Sequence, residues 1–281
     1  MQTIIITTDF SESSLNAARF AAALAGPLGV GRIVLYHSYG NVLVGTEVPV
    51  TDAYISSTHE QSMQFLEAME KELSQVLGKD AGVQIELTAN TLPVTIGVEQ
   101  LAEQWNAGLV VAGATGKSGL ERVLMGSNAT SLASDIKIPL LIVPKKTRYK
   151  SINKIVFACD LKKLSRNTPV AEIGSWLERL NAKLLVLSVD MEGKRFDAGT
   201  IPGQYKMHEL LDGFSPEYHY VETDDDIADE IEDFAEDHNA GLIISIPKSY
   251  GFFERLFRRS VSKALIRESD LPLLLLRERE A

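Results

Sequence analysis

Apolar residues occur along this chain in short unbroken runs, separated by longer stretches in which they recur every three or four positions. The runs in the first half are Ile4 to Ile6, Arg32 to Tyr36, Val83 to Leu87, Leu109 to Ala112 and Leu140 to Val143, each of strand length. Between them, Ser11 is placed to cap a helix through Ala17, Ala18, Ala21 and Ala22, which Gly26-Pro27 is expected to stop. Thr58 to Leu77 sets Met63, Leu66, Met69 and Leu73 on one helical face, and Val94, Val98, Leu101 and Trp105 mark another. A helix from near Asn128 to Asp135 precedes the last strand. Continuous apolar strands alternating with helices predict a parallel sheet covered on both faces, an α/β fold of the doubly wound, Rossmann-like kind.

The pattern then restarts. Ile155 to Asp160 repeats Ile4 to Asp9, and Lys183 to Val189 repeats the second strand. Asp225 to His238 reads as a helix with Ile227, Ile231 and Phe234 inward, and Leu242 to Ser245 repeats the fourth strand. The closing segments match best. Glu121-Arg122, Ser127 and Pro139 recur at the same offsets as Glu254-Arg255, Ser260 and Pro272. The chain is therefore read as an internal duplication of a five-stranded domain, with residues 1–146 and 152–281 as the two copies and a polar boundary between them. The strands Leu140 to Val143 and Leu273 to Leu276 would each leave an apolar edge, so the halves are expected to pair as an intramolecular pseudo-dimer. Two such strands found far apart would contradict this; further homodimerisation is left open.

Bulk properties narrow the class. The 281 residues are 45% hydrophobic and 23% charged, with a formal net charge of -10. That balance excludes a broad electrostatic grip on nucleic acid or on an anionic membrane. The single cysteine, Cys159, excludes an intrachain disulfide and suits a reducing compartment. The N-terminal apolar run is too short for a signal peptide, and no run is long enough to cross a membrane, so the cytoplasm is expected.

The candidate chemistry lies in Gly113-Ala114-Thr115-Gly116, followed after nine residues by Gly126-Ser127. The stretch joins a buried strand to a helix. Glycines remove the Cβ atoms that would keep a phosphate from backbone N–H groups, and a helix start offers free N–H groups and a favourable dipole. Gly116-Lys117-Ser118 is not a P-loop, because Val111 stands where that motif needs its first glycine. The dinucleotide fingerprint is also absent.

At these residues the chain resembles the universal stress protein family. Gly113, Gly116, Gly126 and Ser127 match the family pattern G-x2-G-x9-G-[ST], and Thr7-Thr8-Asp9-Phe10-Ser11 matches its aspartate after the first strand. The resemblance covers both halves, as in a tandem member. It implies an ATP site, with Mg2+ as a companion ion. Asp9 would meet the adenine or ribose, and Thr7 and Ser38 would line the adenine pocket largely through backbone. Gly113 would lie against the ribose, with Ala112 as a further nucleotide-binding residue, and Gly116, Gly126, Ser127 and the Asn128 backbone would hold the phosphates. For Asp9 alone a helix-capping role is the plain alternative, and for the glycines a tight loop without a ligand.

The second half departs from the pattern. Asp160 is kept, but Lys162-Lys163-Leu164 replaces Ser11-Glu12-Ser13, Ile246-Pro247-Lys248-Ser249 replaces the glycine loop, and Arg259 replaces Gly126. Proline lacks a donor and side chains fill the approach, so one site per chain is expected, in the first half. Lys248, Arg258 and Arg259 read as a solvated basic patch. His208-Glu209 and His219 lack metal-ligand spacing, and Asp224 to Asp226 reads as a helix cap with a solvated face. Trp105 and Trp176 are expected in the core, and Cys159 is expected to be an inert thiol. No base for phosphoryl transfer is evident and Lys117 and Arg122 are the loop's cations, so a regulatory ATP-binding protein is favoured. The alternatives are a slow ATPase or nucleotidyl-transfer enzyme, and a nucleotide-free interaction module.

Overall fold

The computed structural model describes residues 2–40, 51–78, 81–114, 127–161, 164–190, 201–224, 226–247, 261, 265 and 269–278. The described residues up to Tyr149 form one compact unit and those from Lys150 onward form a second.

In the first unit, strands β1 (Thr3–Thr7), β2 (Arg32–Ser38), β3 (Gln84–Asn90), β4 (Ala107–Ala114) and β5 (Leu140–Pro144) are separated by helices α1 (Glu12–Leu28), α2 (Asp52–Leu77), α3 (Val94–Trp105) and α4 (Ser127–Asp135). The strands lie in the order β3-β2-β1-β4-β5, and their pairs are all parallel. Helices α1 and α2 contact each other, as do α3 and α4, one pair on each face. This explains why every residue of β1 and β5 is buried: a parallel sheet clad on both sides has no solvent face.

Sequence order reverses between β1 and β4, which makes their carboxyl ends the topological switch point. The second unit repeats this plan with β6 (Lys154–Ala158), β7 (Lys183–Asp190), β8 (Glu217–Glu222), β9 (Leu242–Ser245) and β10 (Leu273–Leu275), in the order β8-β7-β6-β9-β10. Its helices are α5 (Val170–Leu180), α6 (Ile201–Leu211) and α7 (Ile227–Asp237).

The duplication extends to single hydrogen bonds. Ile4 faces Ile33 and Leu109 across the ladder, and Ile155 faces Leu184 and Leu242. Thr8 N donates to Tyr36 O and Cys159 N to Leu187 O, both at 2.9 Å. Val110 N donates to Pro139 O at 2.9 Å and Ile243 N to Pro272 O at 3.0 Å, so each closing proline does the same work. The chain is thus two doubly wound, five-stranded parallel-sheet domains related by internal duplication.

Several local expectations change. Helix α1 runs through Gly26-Pro27 and ends one turn later at Gly29, whose φ of 65 is left-handed. A proline in the last turn forfeits only one helical bond, and the αL glycine supplies the stop. Helix α2 begins at Asp52 rather than Thr58, with Thr51 accepting from Tyr54 N. Trp176 is 3% exposed, as expected, but Trp105 is half-buried, with the Arg32 guanidinium 4.4 Å over its ring. Asp226 caps α7 by accepting from Ala228 N at 2.8 Å.

The segment leaving β5 is bound to α1. Buried Asn16 donates from Nδ2 to Pro144 O at 2.9 Å and to Thr147 O at 2.8 Å, and its Oδ1 accepts from Arg148. Tyr149 stacks edge-on against Phe20 at 5.4 Å. No described helix is long and apolar enough to cross a membrane.

Candidate functional site

Thr7, Asp9, Ser38, Ala112 and Gly113 come together at the carboxyl ends of β1, β2 and β4, around the switch point of the first unit. Thr7 and Ser38 have their hydroxyls committed. Thr7 Oγ1 donates to Val111 O at 3.3 Å and Ser38 Oγ to Leu92 O at 2.5 Å. Both can offer a ligand little beyond backbone. Ala112 is 2% exposed, so it too contributes main chain.

Asp9 differs: its side chain is exposed. Oδ1 accepts from Ser11 N at 3.1 Å and Ser11 Oγ at 2.6 Å, an Asx turn that starts α1. Burial alone would raise its carboxyl. Hydrogen bonds from Ser11 and Ser14 outweigh that and hold it below the usual carboxylate range, so it is an anion at neutral pH. The hydroxyls beneath it are interlinked: Thr8 Oγ1 and Ser14 Oγ lie 3.0 Å apart, as do Ser11 Oγ and Ser13 Oγ.

Gly113 has a packing reason for lacking a side chain. A Cβ there would lie 2.5 Å from the carbonyl carbon and oxygen of Ser13 and 2.8 Å from Ser14 N. The first turn of α1 is pressed on the end of β4, and only glycine admits it. Helix α4 starts at Ser127, so the backbone N–H groups of Ser127 and Asn128 belong to its first turn, where no helical carbonyl is available to them. Gly116 and Gly126, with Lys117 and Arg122, lie outside the described residues.

Three contributors were not anticipated. His37, Phe10 and Phe65 form an aromatic group beside Asp9, with ring centroids 4.4 Å apart for Phe10 and His37 and 5.1 Å for Phe10 and Phe65. His37 Nδ1 lies 2.7 Å from Thr8 O. The only sequence signal is a histidine directly after an apolar strand run. Burial pulls the His37 pKa down, against the opposing pull of the Thr8 carbonyl and Asp9. The native ring is therefore neutral, and the unfolded chain takes up a proton first. Stability is unaffected above the ordinary histidine value of 6.5 and falls as pH drops through it. Urea midpoints measured at about pH 7.5 and about pH 5.5 should show a smaller acid loss in His37→Asn than in the wild type.

The equivalent place in the second unit is built differently. Asp160 is exposed, but α5 starts only at Val170, whereas α1 starts three residues after Asp9. Ile246 stands where Gly113 stands in the first unit, so the tight strand-to-helix approach is lost. Gly203 of α6 is pressed against the Leu161 carbonyl. Cys159, its Sγ 3.5 Å from Met207 Sδ, has its thiol pushed up to about 12 by burial and by Asp160. It is a poor nucleophile near neutrality. Lys162, Lys163, Lys248, Ser249, Arg258, Arg259 and Ser260 lie outside the described residues. Among the described residues no group of three or more His, Cys, Asp or Glu is arranged to hold a metal.

Comparison with known proteins bears on the fold and the family. The model of the universal stress protein family matches residues 1–144 and again 152–277. Universal stress protein MJ0531 of Methanocaldococcus jannaschii is 31% identical over 142 residues, covering 50% of this chain and 81% of that protein. A universal stress protein from Archaeoglobus fulgidus DSM 4304 has a similar fold, with a TM-score of 0.75 at 19% identity over 98% of both chains. A protein from Pseudomonas aeruginosa UCBPP-PA14, described as a putative universal stress protein, aligns with a TM-score of 0.61 at 15% identity, covering 99% of this chain and 94% of its own. With the family model matching twice along one polypeptide, this chain belongs to the universal stress protein family as a tandem member.

Proposed function

We propose that this protein is a stress-related regulator that binds one ATP, in its first domain. The carrying observation is the exposed, anionic Asp9 at the switch point, beside a Gly113 that draws the first turn of α1 onto β4. Doubly wound sheets bind ligands in the crevice at this position. In this reading Asp9 accepts from a ribose hydroxyl or the adenine amine, while the backbone of Thr7, Ser38, Ala112 and Gly113 shapes the walls. The phosphates reach the start of α4 at Ser127 and Asn128, where free N–H groups and the helix dipole favour an anion, and Gly116 and Gly126 keep that path clear. A Mg2+ ion would enter held by the phosphates and water rather than by a set of protein carboxylates.

The domains are assigned as residues 1–146, which bind nucleotide, and 152–281, which form a degenerate copy. At the second crevice Ile246 and Pro247 stand where Gly113 and Ala114 do, removing a donor and adding bulk. The second domain then serves as a structural partner or takes a ligand other than a nucleoside triphosphate.

Mass spectrometry of nucleotide released from the purified protein, with calorimetric saturation by ATP, tests this. Adenine nucleotide and a stoichiometry near one per chain are expected. No binding at all would turn the reading to an interaction module. Turnover of labelled ATP would turn it to an enzyme.

A further inference from the structure

The loop that carries Asp9 is held in a conformation its own sequence does not favour. Phe10 has a φ of 63, in the left-handed region that aromatic residues seldom adopt. Such a conformation persists where the surroundings over-determine it. Here the hold comes from three directions. Phe10 N donates to Thr8 Oγ1 at 3.0 Å. Both backbone polar groups of Thr8 are tied to β2, with N donating to Tyr36 O at 2.9 Å and O accepting from His37 Nδ1 at 2.7 Å. The Phe10 ring then lies between His37 of β2 and Phe65 of α2. His37 is 8% exposed, so it reaches no ligand directly but touches the residues on either side of Asp9.

The second domain provides an internal control. It keeps the same strand pairing and the equivalent bond from Cys159 N to Leu187 O. Yet Ser188 stands at the place of His37, Cys159 at that of Thr8, and Leu161 at that of Phe10. Leu161 is not left-handed. The fold therefore forms without the histidine and without the strained residue. Both occur where the aspartate turn leads straight into the helix, and both are missing where it does not.

We infer that His37 is a positioning residue for the nucleotide site, holding the Thr8 carbonyl and the Phe10 ring so that Asp9 is set before the ligand arrives. The inference rests on the ATP-binding reading above. Its donor is the Nδ1–H, which fixes the neutral tautomer with the proton on Nδ1. Pre-setting an anchor raises affinity by removing the cost of ordering it on binding.

The test is a double-mutant cycle read by calorimetric titration with ATP. His37→Phe, which keeps a ring but has no donor, should weaken binding about tenfold. His37→Asn, which keeps a donor near the Nδ1 position, should stay within about threefold of the wild type. In an Asp9→Ala background the further effect of His37→Phe should shrink to less than about twofold, because the residue it positions is gone. Nitrogen-resolved NMR of the ring should show the proton on Nδ1. An undiminished tenfold effect in the Asp9→Ala background, or a proton on Nε2, would overturn the positioning role while leaving ATP binding standing. A wild-type protein that binds no ATP would overturn both. Should His37→Phe fail to fold, Phe10→Gly, which adopts positive φ freely but removes the ring, enters the same cycle. Additive effects there would likewise overturn the proposal.

Discussion

Gly113→Val is expected to cost about 3 kcal/mol of folding stability and to abolish ATP binding in the same step. The substituted Cβ would sit 2.5 Å from the Ser13 carbonyl and 2.8 Å from Ser14 N. These are backbone atoms inside a helical turn, so no rotamer change relieves the contact. The first turn of α1 must lift from β4. That turn contains Ser14, whose hydroxyl meets Thr8, and is capped by Ser11, whose N–H and hydroxyl fix Asp9. Lifting it also strains Asn16, which ties α1 to the segment after β5. Urea denaturation of the variant measures the first effect and calorimetry the second. A stability equal to the wild type would show that α1 does not seat on Gly113 as described. Ile246→Gly in the second domain should not create a site, because α5 starts too late to form the same turn.

Asp9→Ala should weaken ATP binding by roughly 10- to 100-fold, the worth of one charge-assisted hydrogen bond. Asp160→Ala should leave it unchanged. Asp9 anchors the Asx turn ahead of α1, so removing its carboxylate should cost a modest amount of stability, about 0.5–1 kcal/mol. This separates the variant from Gly113→Val, in which fold and binding fail together. The asymmetry follows from what surrounds each aspartate. Asp9 sits in an Asx turn at a helix start that is pressed on Gly113, and its neighbours Thr8 and Phe10 are held by a buried histidine. Asp160 precedes a longer connection to α5 and lies next to a leucine pressed by Gly203. Full retention of binding in Asp9→Ala with loss in Asp160→Ala would place the working site in the other half.

The hydrophobic pattern was enough to determine the architecture. Unbroken runs such as Ile4 to Ile6 and Leu140 to Val143, alternating with helical stretches, fit strands of a sheet covered on both faces, and their recurrence in the second half pointed to a second such sheet. Gly113 and the aspartate after the first strand were legible for the same reason: such residues report a local backbone need. Weaker patterns escaped. The strand Glu217–Glu222 is half exposed, and its residues Glu217-Tyr218-His219-Tyr220-Val221-Glu222 carry no apolar run. Helix α1 continued past Gly26-Pro27 because its end depends on the left-handed residue at 29 and on packing rather than on the proline.

What only the tertiary structure decided concerns residues distant in sequence that share a few ångströms. No linear pattern joins Gly113 to the Ser13 backbone, Asn16 to the carbonyls of Pro144 and Thr147, or His37 to the carbonyl of Thr8. Each contact depends on how β1, β2, β4 and α1 are stacked, and that stacking comes from burial summed over the whole domain. The left-handed Phe10 is the clearest instance. By local preference it would be extended or helical. It is held otherwise by a histidine and a phenylalanine from two other elements, which the chain brings together only once the sheet has formed.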